Sequence, residues 1–271
     1  MKLTTARLDI IRHGESAGNA RQRALREDPR YHQFHELYRQ DFERGGELSK
    51  ETLQLAEQLG RTFEHHRAPD WKLPLTETGK EQARATALGL REQMDGQLPD
   101  AVLISTHKRA VETYRAMRTA WQELPSLRND NLVFVEPSLR EAEIGKASMY
   151  GMWELFFALN APEHEYRVKE GHLFSYRFPN GENLYTVMDR ILPVINMINE
   201  EFAGRCVWII AHHLINLTLR ARYENWIIPE EYMEQEEKAR SINCGVTTYL
   251  ATPGQYLGKK QVPAQAHRIF Y

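Results

Sequence analysis

Short apolar runs and longer amphipathic stretches alternate along the chain. The apolar runs are rich in β-branched residues and occur at Leu8–Ile11, Ala101–Ser105, Leu132–Val135, Val207–Ala211 and Val246–Ala251, with a further candidate at Arg268–Tyr271. Runs of this length without polar alternation are typical of strands that are buried on both faces. We therefore predict a central sheet in which these runs are the strands.

The stretches between the apolar runs have helical periodicity. Helices are predicted at residues 77–94, Arg109–Trp121, Glu182–Phe202 and Leu214–Tyr223. Thr76 is a residue type that caps helix N-termini, and it directly precedes the first of these helices. The helix at Glu182–Phe202 has the strongest apolar stripe, and Pro193 within it predicts a kink or a break.

Strands that alternate with helices predict an α/β fold, a three-layer α-β-α sandwich around a mostly parallel sheet. Two segments interrupt this alternation. Residues 20–72 are long and highly charged, with a predicted helix at Ser49–His66, and residues 146–181 are rich in aromatic residues, Gly and Pro. We interpret both segments as cap insertions over one edge of the sheet, within a single domain of residues 1–271.

Composition and charge exclude several classes of protein. The net charge is −2, from 35 basic and 37 acidic residues, so nothing in the overall charge favours nucleic acid or an acidic membrane as a partner. No apolar run approaches the roughly 20 residues of a membrane span, and the N-terminus lacks the pattern of a signal peptide. Cys206 and Cys244 lie in apolar surroundings and are predicted to be free thiols, which indicates a cytoplasmic protein.

Charged and imidazole side chains follow the predicted strands at their carboxyl ends. Arg12 and His13 follow the first strand, Arg109 begins the helix after the second, Glu141 follows the third, and His212 follows the fourth. Because the carboxyl ends of parallel strands meet at one edge of a sheet, we expect these side chains to converge. A single ending of this kind arises easily by chance, whereas the whole set does not.

This combination of side chains suits phosphoryl transfer. Two arginine forks match the oxygens of a phosphate group and stay protonated. A neutral imidazole between them can attack phosphorus, and a second imidazole can stabilise charge on the transferred group. A carboxylic acid can protonate the leaving oxygen and then deprotonate a water molecule. The residues therefore predict a site for double displacement at phosphorus.

Six sequence blocks, in order along the chain, resemble the histidine phosphatase superfamily, the phosphoglycerate mutase-like proteins with an Arg-His-Gly signature. The blocks are RHGESAGN from Arg12, PLTETGKEQA from Pro74, STHKRAVET from Ser105, LREAEIG from Leu139, FPNGENLYTVMDRI from Phe178 and AHH from Ala211. The signature alone is a weak indication, but six blocks in the order of the family are specific.

The resemblance implies a phosphohistidine intermediate on His13, with Glu141 as the acid that protonates the leaving group. The residues that it implies as contacts of the phosphate group are Arg12, Ser16, Asn19, Arg109 and His212. It implies neither a metal ion nor an organic cofactor, because the arginines supply the positive charge that a magnesium ion supplies elsewhere.

The sequence departs from the pattern of the family near two of these residues. His213 stands where the family usually has glycine; we expect it to pack behind the site, with a contact to substrate as the alternative. Glu143 competes with Glu141 for the role of the acid, but the spacing of Glu141 to Gly145 is that of the family. After Gly145 many members continue Trp-Glu-Gly, and because the residues here differ, the resemblance does not extend to recognition of the leaving group.

Three functions remain open on the sequence. The leading hypothesis is a phosphomonoester hydrolase that acts on a small phosphate ester or a phosphoprotein, with the oligomeric state open. The second is a mutase, although residues 146–178 do not match the substrate-binding insertion that mutases of the family share. The third is a catalytically silent binding protein, which the presence of every expected catalytic residue disfavours.

Overall fold

The computed structural model describes residues 3–63, 69–128, 131–160, 175–226, 232, 234 and 240–251. Its strands are β1 (Arg7–Arg12), β2 (Ala101–Ser105), β3 (Val133–Glu136), β4 (Cys206–Ala211) and β5 (Val246–Leu250). Its helices are α1 (Ala17–Glu27), α2 (Pro29–Glu43), α3 (Lys50–Phe63), α4 (Glu77–Gln93), α5 (Lys108–Ala120), α6 (Trp153–Asn160), α7 (Leu184–Glu201) and α8 (His213–Glu224). Short 3₁₀ turns lie at Asp70–Lys72, Pro137–Leu139 and Gly145–Tyr150.

The five strands form one sheet in the order β3-β2-β4-β1-β5. Each neighbouring pair is parallel except β1 and β5, which are antiparallel. Val207 in β4 lies opposite Leu8 in β1 on one side and Ala101 in β2 on the other. Every residue of β2 is buried, as expected for a strand that is covered on both faces. The prediction of an α/β fold with a mostly parallel sheet is confirmed.

The predicted strands and helices are found within one to three residues of their expected ends, where the structure describes them. The candidate strand at Arg268–Tyr271 lies outside the described residues. Of the predicted kink or break at Pro193, the break is wrong, because α7 continues through this residue, and the kink stays a prediction. Proline removes one backbone hydrogen bond, whereas the buried side chains of Ile191 and Ile195 on either side of it hold the helix against its neighbours.

The chain divides into two compact units. The first comprises Met1–Ser16, Trp71–Glu141 and Val187–Tyr271, and the second comprises Ala17–Asp70 and Ala142–Thr186. The second unit consists largely of the residues predicted as insertions, and their role as a cap stays a prediction. Among the described residues, no helix has both the length and the apolar character that crossing a bilayer requires.

Each unit has its own apolar core. In the first, side chains from α4 and α5 pack with those of the sheet, and the rings of Trp121 and Trp208 meet edge to face at 5.8 Å. In the second, α2, α3 and α6 pack together through residues such as Phe34, Leu59 and Leu155. Burial of each such side chain stabilises the fold by about 1.5–3 kcal/mol. In the first unit, this packing stabilises the sheet, and the sheet in turn positions the loops at its carboxyl edge.

Candidate active site

The loop after β1 is held from both sides of the strand. The backbone N–H of His13 donates to the carbonyl of Ala211 at 3.0 Å, which extends the ladder with β4 by one residue. The carbonyl of His13 accepts from Asn243 Nδ2 at 3.1 Å and from the backbone N–H of Cys244 at 3.2 Å. Cys244 has a positive φ of 56°, an uncommon conformation for a residue other than glycine. The backbone of His13 is therefore fixed by three hydrogen bonds.

The hydrogen bonds of the His13 side chain assign its tautomer. Nδ1 lies 2.7 Å from the carbonyl oxygen of Gly14, which can only accept, so the proton is on Nδ1. Nε2 accepts from the Nε–H of Arg109 at 3.2 Å and therefore carries a lone pair. The ring is buried and neutral in this arrangement, with its lone-pair nitrogen beside a guanidinium group.

Gly14 lies so close to the start of α4 that neither Gly14 nor Gly79 can be replaced by a residue with a side chain. A Cβ atom on Gly14 would overlap the carbonyl of Gly79, and a Cβ atom on Gly79 would overlap the backbone of Glu15. The N–H of Glu15 donates to Gln82 Oε1 at 2.9 Å, and its carboxyl oxygen accepts from Thr76 Oγ1 at 2.7 Å. These contacts explain the block PLTETGKEQA physically, because its Thr, Gly and Gln dock the loop of His13.

Arg109 and His212 reach the same place from α5 and from the residue before α8. The Nε–H of Arg109 is also 3.3 Å from His212 Nδ1, and His212 Nε2 is 2.7 Å from Ser105 Oγ. The ring centroids of His13 and His212 are 5.0 Å apart. Burial, followed by the positive charge of Arg109, holds the pKa of His212 well below 6.5. His212 is therefore a neutral imidazole with its proton on Nε2.

The guanidinium of Arg12 is only partly satisfied. Nη1 donates to the carbonyl of Ser241 at 2.5 Å, whereas Nε is buried and has no hydrogen-bond partner. Burial lowers the pKa of Arg12 to about 10, and the carboxylate of Glu141 is the charge that most opposes this shift. The nearby charges of Arg240 and Arg109 lower the pKa further. A buried cation with an unused donor favours the binding of an anion.

Glu141 lies in the first unit, on the loop that follows β3. Arg190 on α7 holds this loop, because its Nη1 donates to the carbonyl of Ser138 at 2.5 Å and its Nη2 to that of Glu141 at 3.2 Å. The alternative acid Glu143 belongs to the second unit and is exposed, and Asn19 also lies in that unit. The roles predicted for Glu141, Glu143 and Asn19 stay predictions.

Two other predicted residues are buried in the first unit. Ser16 pairs with Leu75 through an isolated β-bridge, and His213 is the first residue of α8. Neither position decides whether the side chain contacts a substrate, so the predicted roles stay predictions.

The structure also brings in residues that the sequence analysis did not single out. The buried ring of His107 meets that of His212 edge to face, with centroids 4.7 Å apart. Asn216 lies one helical turn after His212. With its amide turned so that both polar atoms are satisfied, it donates to the carbonyl of His212 at 3.0 Å and accepts from the N–H of Arg12 at 3.1 Å. His107 lies within a recognised block, but nothing in the sequence pattern marks Asn216.

The predicted site residues of the first unit therefore share one edge of the sheet. Arg12, His13, Arg109 and His212 are linked by hydrogen bonds or charge, and Glu141 acts on Arg12 electrostatically. Two guanidinium groups and two neutral imidazoles in a buried setting are a strong receptor for a phosphate-like anion. In the part of the chain that the structure describes, no cluster of three or more His, Cys, Asp or Glu side chains could hold a metal ion.

Comparison with known proteins identifies relatives of this fold. The model of the histidine phosphatase superfamily, branch 1, matches residues 47–253. This range contains every recognised block except the first, which begins at Arg12. None of the curated proteins matches the chain.

Solved structures with the same fold include three bacterial proteins. The alpha-ribazole phosphatase from Shigella flexneri has a TM-score of 0.55 at 20% identity, over 89% of each chain. Mycobacterial glucosyl-3-phosphoglycerate phosphatase has a TM-score of 0.54 at 17% identity, over 90% of this chain and 89% of that one. Mycobacterial hydrolase 2 has a TM-score of 0.56 at 18% identity, over 92% of this chain and 84% of that one. At these identities the likeness concerns the fold alone.

Proposed function

Because this chain belongs to the histidine phosphatase superfamily, branch 1, we propose that it hydrolyses phosphate monoesters through a phosphohistidine formed on His13. The observation that carries the proposal is the state of the His13 side chain. Its Nδ1–H is tied to the carbonyl of Gly14, and its Nε2 lone pair lies 3.2 Å from the Nε–H of Arg109. A nucleophile with a fixed tautomer beside a fixed cation is what attack at phosphorus needs.

The first step begins when the phosphate group of the substrate enters the site. A phosphate dianion is a stronger acceptor than a neutral imidazole, so the N–H of Arg109 turns to a phosphate oxygen and releases the lone pair of His13. The unused Nε–H of Arg12 is a second donor for the same group. His13 Nε2 then forms the N–P bond as the P–O bond to the alcohol breaks. Glu141 takes part in this step in its protonated form and gives its proton to the departing oxygen, which leaves it as the carboxylate for the second step.

The second step returns the enzyme to its starting state. The Glu141 carboxylate takes a proton from a water molecule, whose oxygen attacks phosphorus as the N–P bond breaks, and inorganic phosphate leaves. His212 takes up a proton from the solvent when the substrate binds and returns it when phosphate leaves, because a bound dianion opposes the effects that keep its pKa low. Once protonated on Nδ1, His212 can donate to an equatorial oxygen of the transferring group.

Hydrolysis, rather than transfer to a second hydroxyl, is the better supported reaction. Two of the solved structures with this fold are described as phosphatases. Residues 146–178 also lack the resemblance to the substrate-binding insertion of mutases. We place the reaction in the cytoplasm, with a phosphate ester as substrate and without nucleic acid or membrane as partner, as parts of the same proposal.

The experiment that tests the proposal uses para-nitrophenyl phosphate and radiolabelled phosphate esters. We expect the wild-type protein to release phosphate and, after rapid quenching, to carry acid-labile label on His13. His13→Ala should lose both properties, whereas His32→Ala, a change at an exposed histidine of α2, should keep both. Hydrolysis by His13→Ala at the wild-type rate would contradict the mechanism.

A second measurement separates the remaining functions. Phosphoglycerates are incubated with the protein, and release of inorganic phosphate is compared with isomerisation of the substrate. We expect release to dominate. Dominant isomerisation would identify a transferase. Binding of inorganic phosphate without turnover of any ester, at several pH values, would identify a binding protein.

A further inference from the structure

We infer that Thr113 is a positioning residue for the nucleophile, which it holds through the backbone of Gly14. The inference rests on the proposed role of His13. Thr113 is fully buried on α5, one helical turn after Arg109, and it has no place in the chemical steps described above.

The hydroxyl group of Thr113 both accepts and donates a hydrogen bond. It accepts from the backbone N–H of Gly14 at 3.0 Å and donates to the carbonyl of Arg109 at 2.7 Å. A single side chain thereby joins the loop after β1 to the helical turn that carries Arg109. Because both partners are backbone groups, the link fixes the relative position of the two segments whatever their side chains do.

The peptide planes on either side of Gly14 are both clamped. The plane that joins His13 to Gly14 is held at its carbonyl by Asn243 and at its N–H by Thr113. The next plane is held at the N–H of Glu15, and its carbonyl is the oxygen that accepts from His13 Nδ1. Each peptide unit is rigid, so Thr113 fixes the first plane and Gln82 fixes the second, which carries the Gly14 carbonyl. Because the two planes meet at the Cα atom of Gly14, release of the first plane lets this atom move, and with it the carbonyl that orients the ring of His13.

Loss of the hydroxyl group would act through geometry. Valine has nearly the shape of threonine, so Thr113→Val fills the same space and leaves the buried N–H of Gly14 without an acceptor. The loop would then shift toward another partner, and the carbonyl of Gly14 would turn with it. A misplacement of about 1 Å in a catalytic group can lower a rate on the order of 10²-fold.

The structure supplies a matched control at Thr218 on α8. This residue is also fully buried in the first unit, and its hydroxyl donates to the carbonyl of Leu214 at 2.7 Å, four residues earlier, as that of Thr113 does to Arg109. Its second partner is Tyr232 Oη at 3.4 Å, and it makes no hydrogen bond to the loop of His13. Thr218→Val therefore removes the same local hydrogen bond without touching the nucleophile.

The kinetic experiment measures hydrolysis of para-nitrophenyl phosphate. We expect Thr113→Val to lower kcat on the order of 10²-fold with little change in KM, and Thr113→Ser to stay close to wild type. Thr218→Val should also stay close to wild type. Where the wild type hydrolyses the ester, equal rates for Thr113→Val and Thr218→Val would overturn the inference. If Thr113→Val does not fold, Thr113→Cys, with a weak sulfur donor and acceptor, takes its place in the comparison.

Nitrogen NMR of the imidazole rings tests the inference without turnover. In the wild type and in Thr113→Ser, His13 should be held as the Nδ1–H tautomer, and in Thr113→Val its nitrogens should report a mixture of tautomers. An unchanged His13 tautomer in Thr113→Val would overturn the positioning role. A tautomer change in a protein that hydrolyses no ester would leave the positioning role standing and overturn the proposed function instead.

Discussion

A neutral histidine between a cation and a hydroxyl group is the most informative single residue of the site. His212 accepts from Arg109 through Nδ1 and donates from Nε2 to Ser105, so its two nitrogens have different partners. Protonation of Nδ1 would bring a second positive charge against Arg109 in a buried setting. Burial is the largest cause of the low pKa of His212, and the positive charge of Arg109 lowers the pKa further.

This low pKa predicts a pH dependence of stability in the absence of phosphate. In the unfolded chain His212 titrates near 6.5, whereas in the folded protein it titrates well below that value. Below pH 6.5 the unfolded state therefore binds a proton that the folded state does not. As the pH is lowered, the free energy of unfolding therefore decreases. The share of His212 is up to about 1.4 kcal/mol per pH unit.

The measurement is denaturant unfolding between pH 5 and pH 8 in a buffer without phosphate. His212→Asn should lose this dependence, so the stability difference between wild type and variant shrinks as the pH falls. His32→Asn, at an exposed histidine, should follow the wild-type curve. A constant difference between wild type and His212→Asn across this range would exclude a low pKa for His212.

At the scale of elements, the sequence predicted the parts that depend on local pattern. Apolar runs predict β1, β2 and β4, and the parallel arrangement of strands brings the residues after them to one edge. Contacts such as that of Asn216 with Arg12 were not predictable, because they depend on the register between α8 and β1. Pro193 shows the same limit: its local preference is outweighed by packing along α7.

The contact between Gly14 and Gly79 predicts that Gly79→Ala destabilises the protein, whereas helix propensity alone would predict that it stabilises the protein. Gly79 lies in the first turn of α4, where alanine is a better helix former than glycine by up to about 1 kcal/mol. However, a methyl group there would meet the backbone of Glu15. Gly79→Ala should therefore destabilise the protein by about 1–3 kcal/mol, a typical cost of overpacking.

A helical glycine in α3 is the matched control for Gly79. A Cβ atom on Gly60 would lie 3.4 Å from Leu159 Cδ1, an ordinary van der Waals contact with a side chain. Gly60→Ala should be neutral or stabilising by up to about 1 kcal/mol. Denaturant unfolding of both variants decides the matter, and equal effects of the two substitutions would refute the close approach of the loop to α4.

At the scale of the whole molecule, the site concentrates positive charge in a chain whose net charge is −2. Overall composition therefore did not indicate an anion receptor, whereas the positions of Arg12 and Arg109 after two strands did. In the sequence, the division into two units corresponds only to the segments 20–72 and 146–181, which interrupt the alternation of predicted strands and helices. The role of these residues as a cap stays a prediction, because it depends on long-range packing that no local pattern encodes.

A buried site with two guanidinium groups should be stabilised by the anion that it binds. If inorganic phosphate binds the folded state through Arg12 and Arg109, as proposed, it should raise the free energy of unfolding by about 2.7 kcal/mol at a hundredfold excess over its Kd. Thermal unfolding is measured at increasing phosphate, with chloride at equal ionic strength as the reference.

Arg12→Met should reduce the increase in Tm, because the unused Nε donor and its charge are gone. Arg61→Met, at an exposed residue of α3, should keep the wild-type increase. An equal increase in wild type and Arg12→Met would place the phosphate elsewhere on the protein and remove the basis for assigning Arg12 to the receptor.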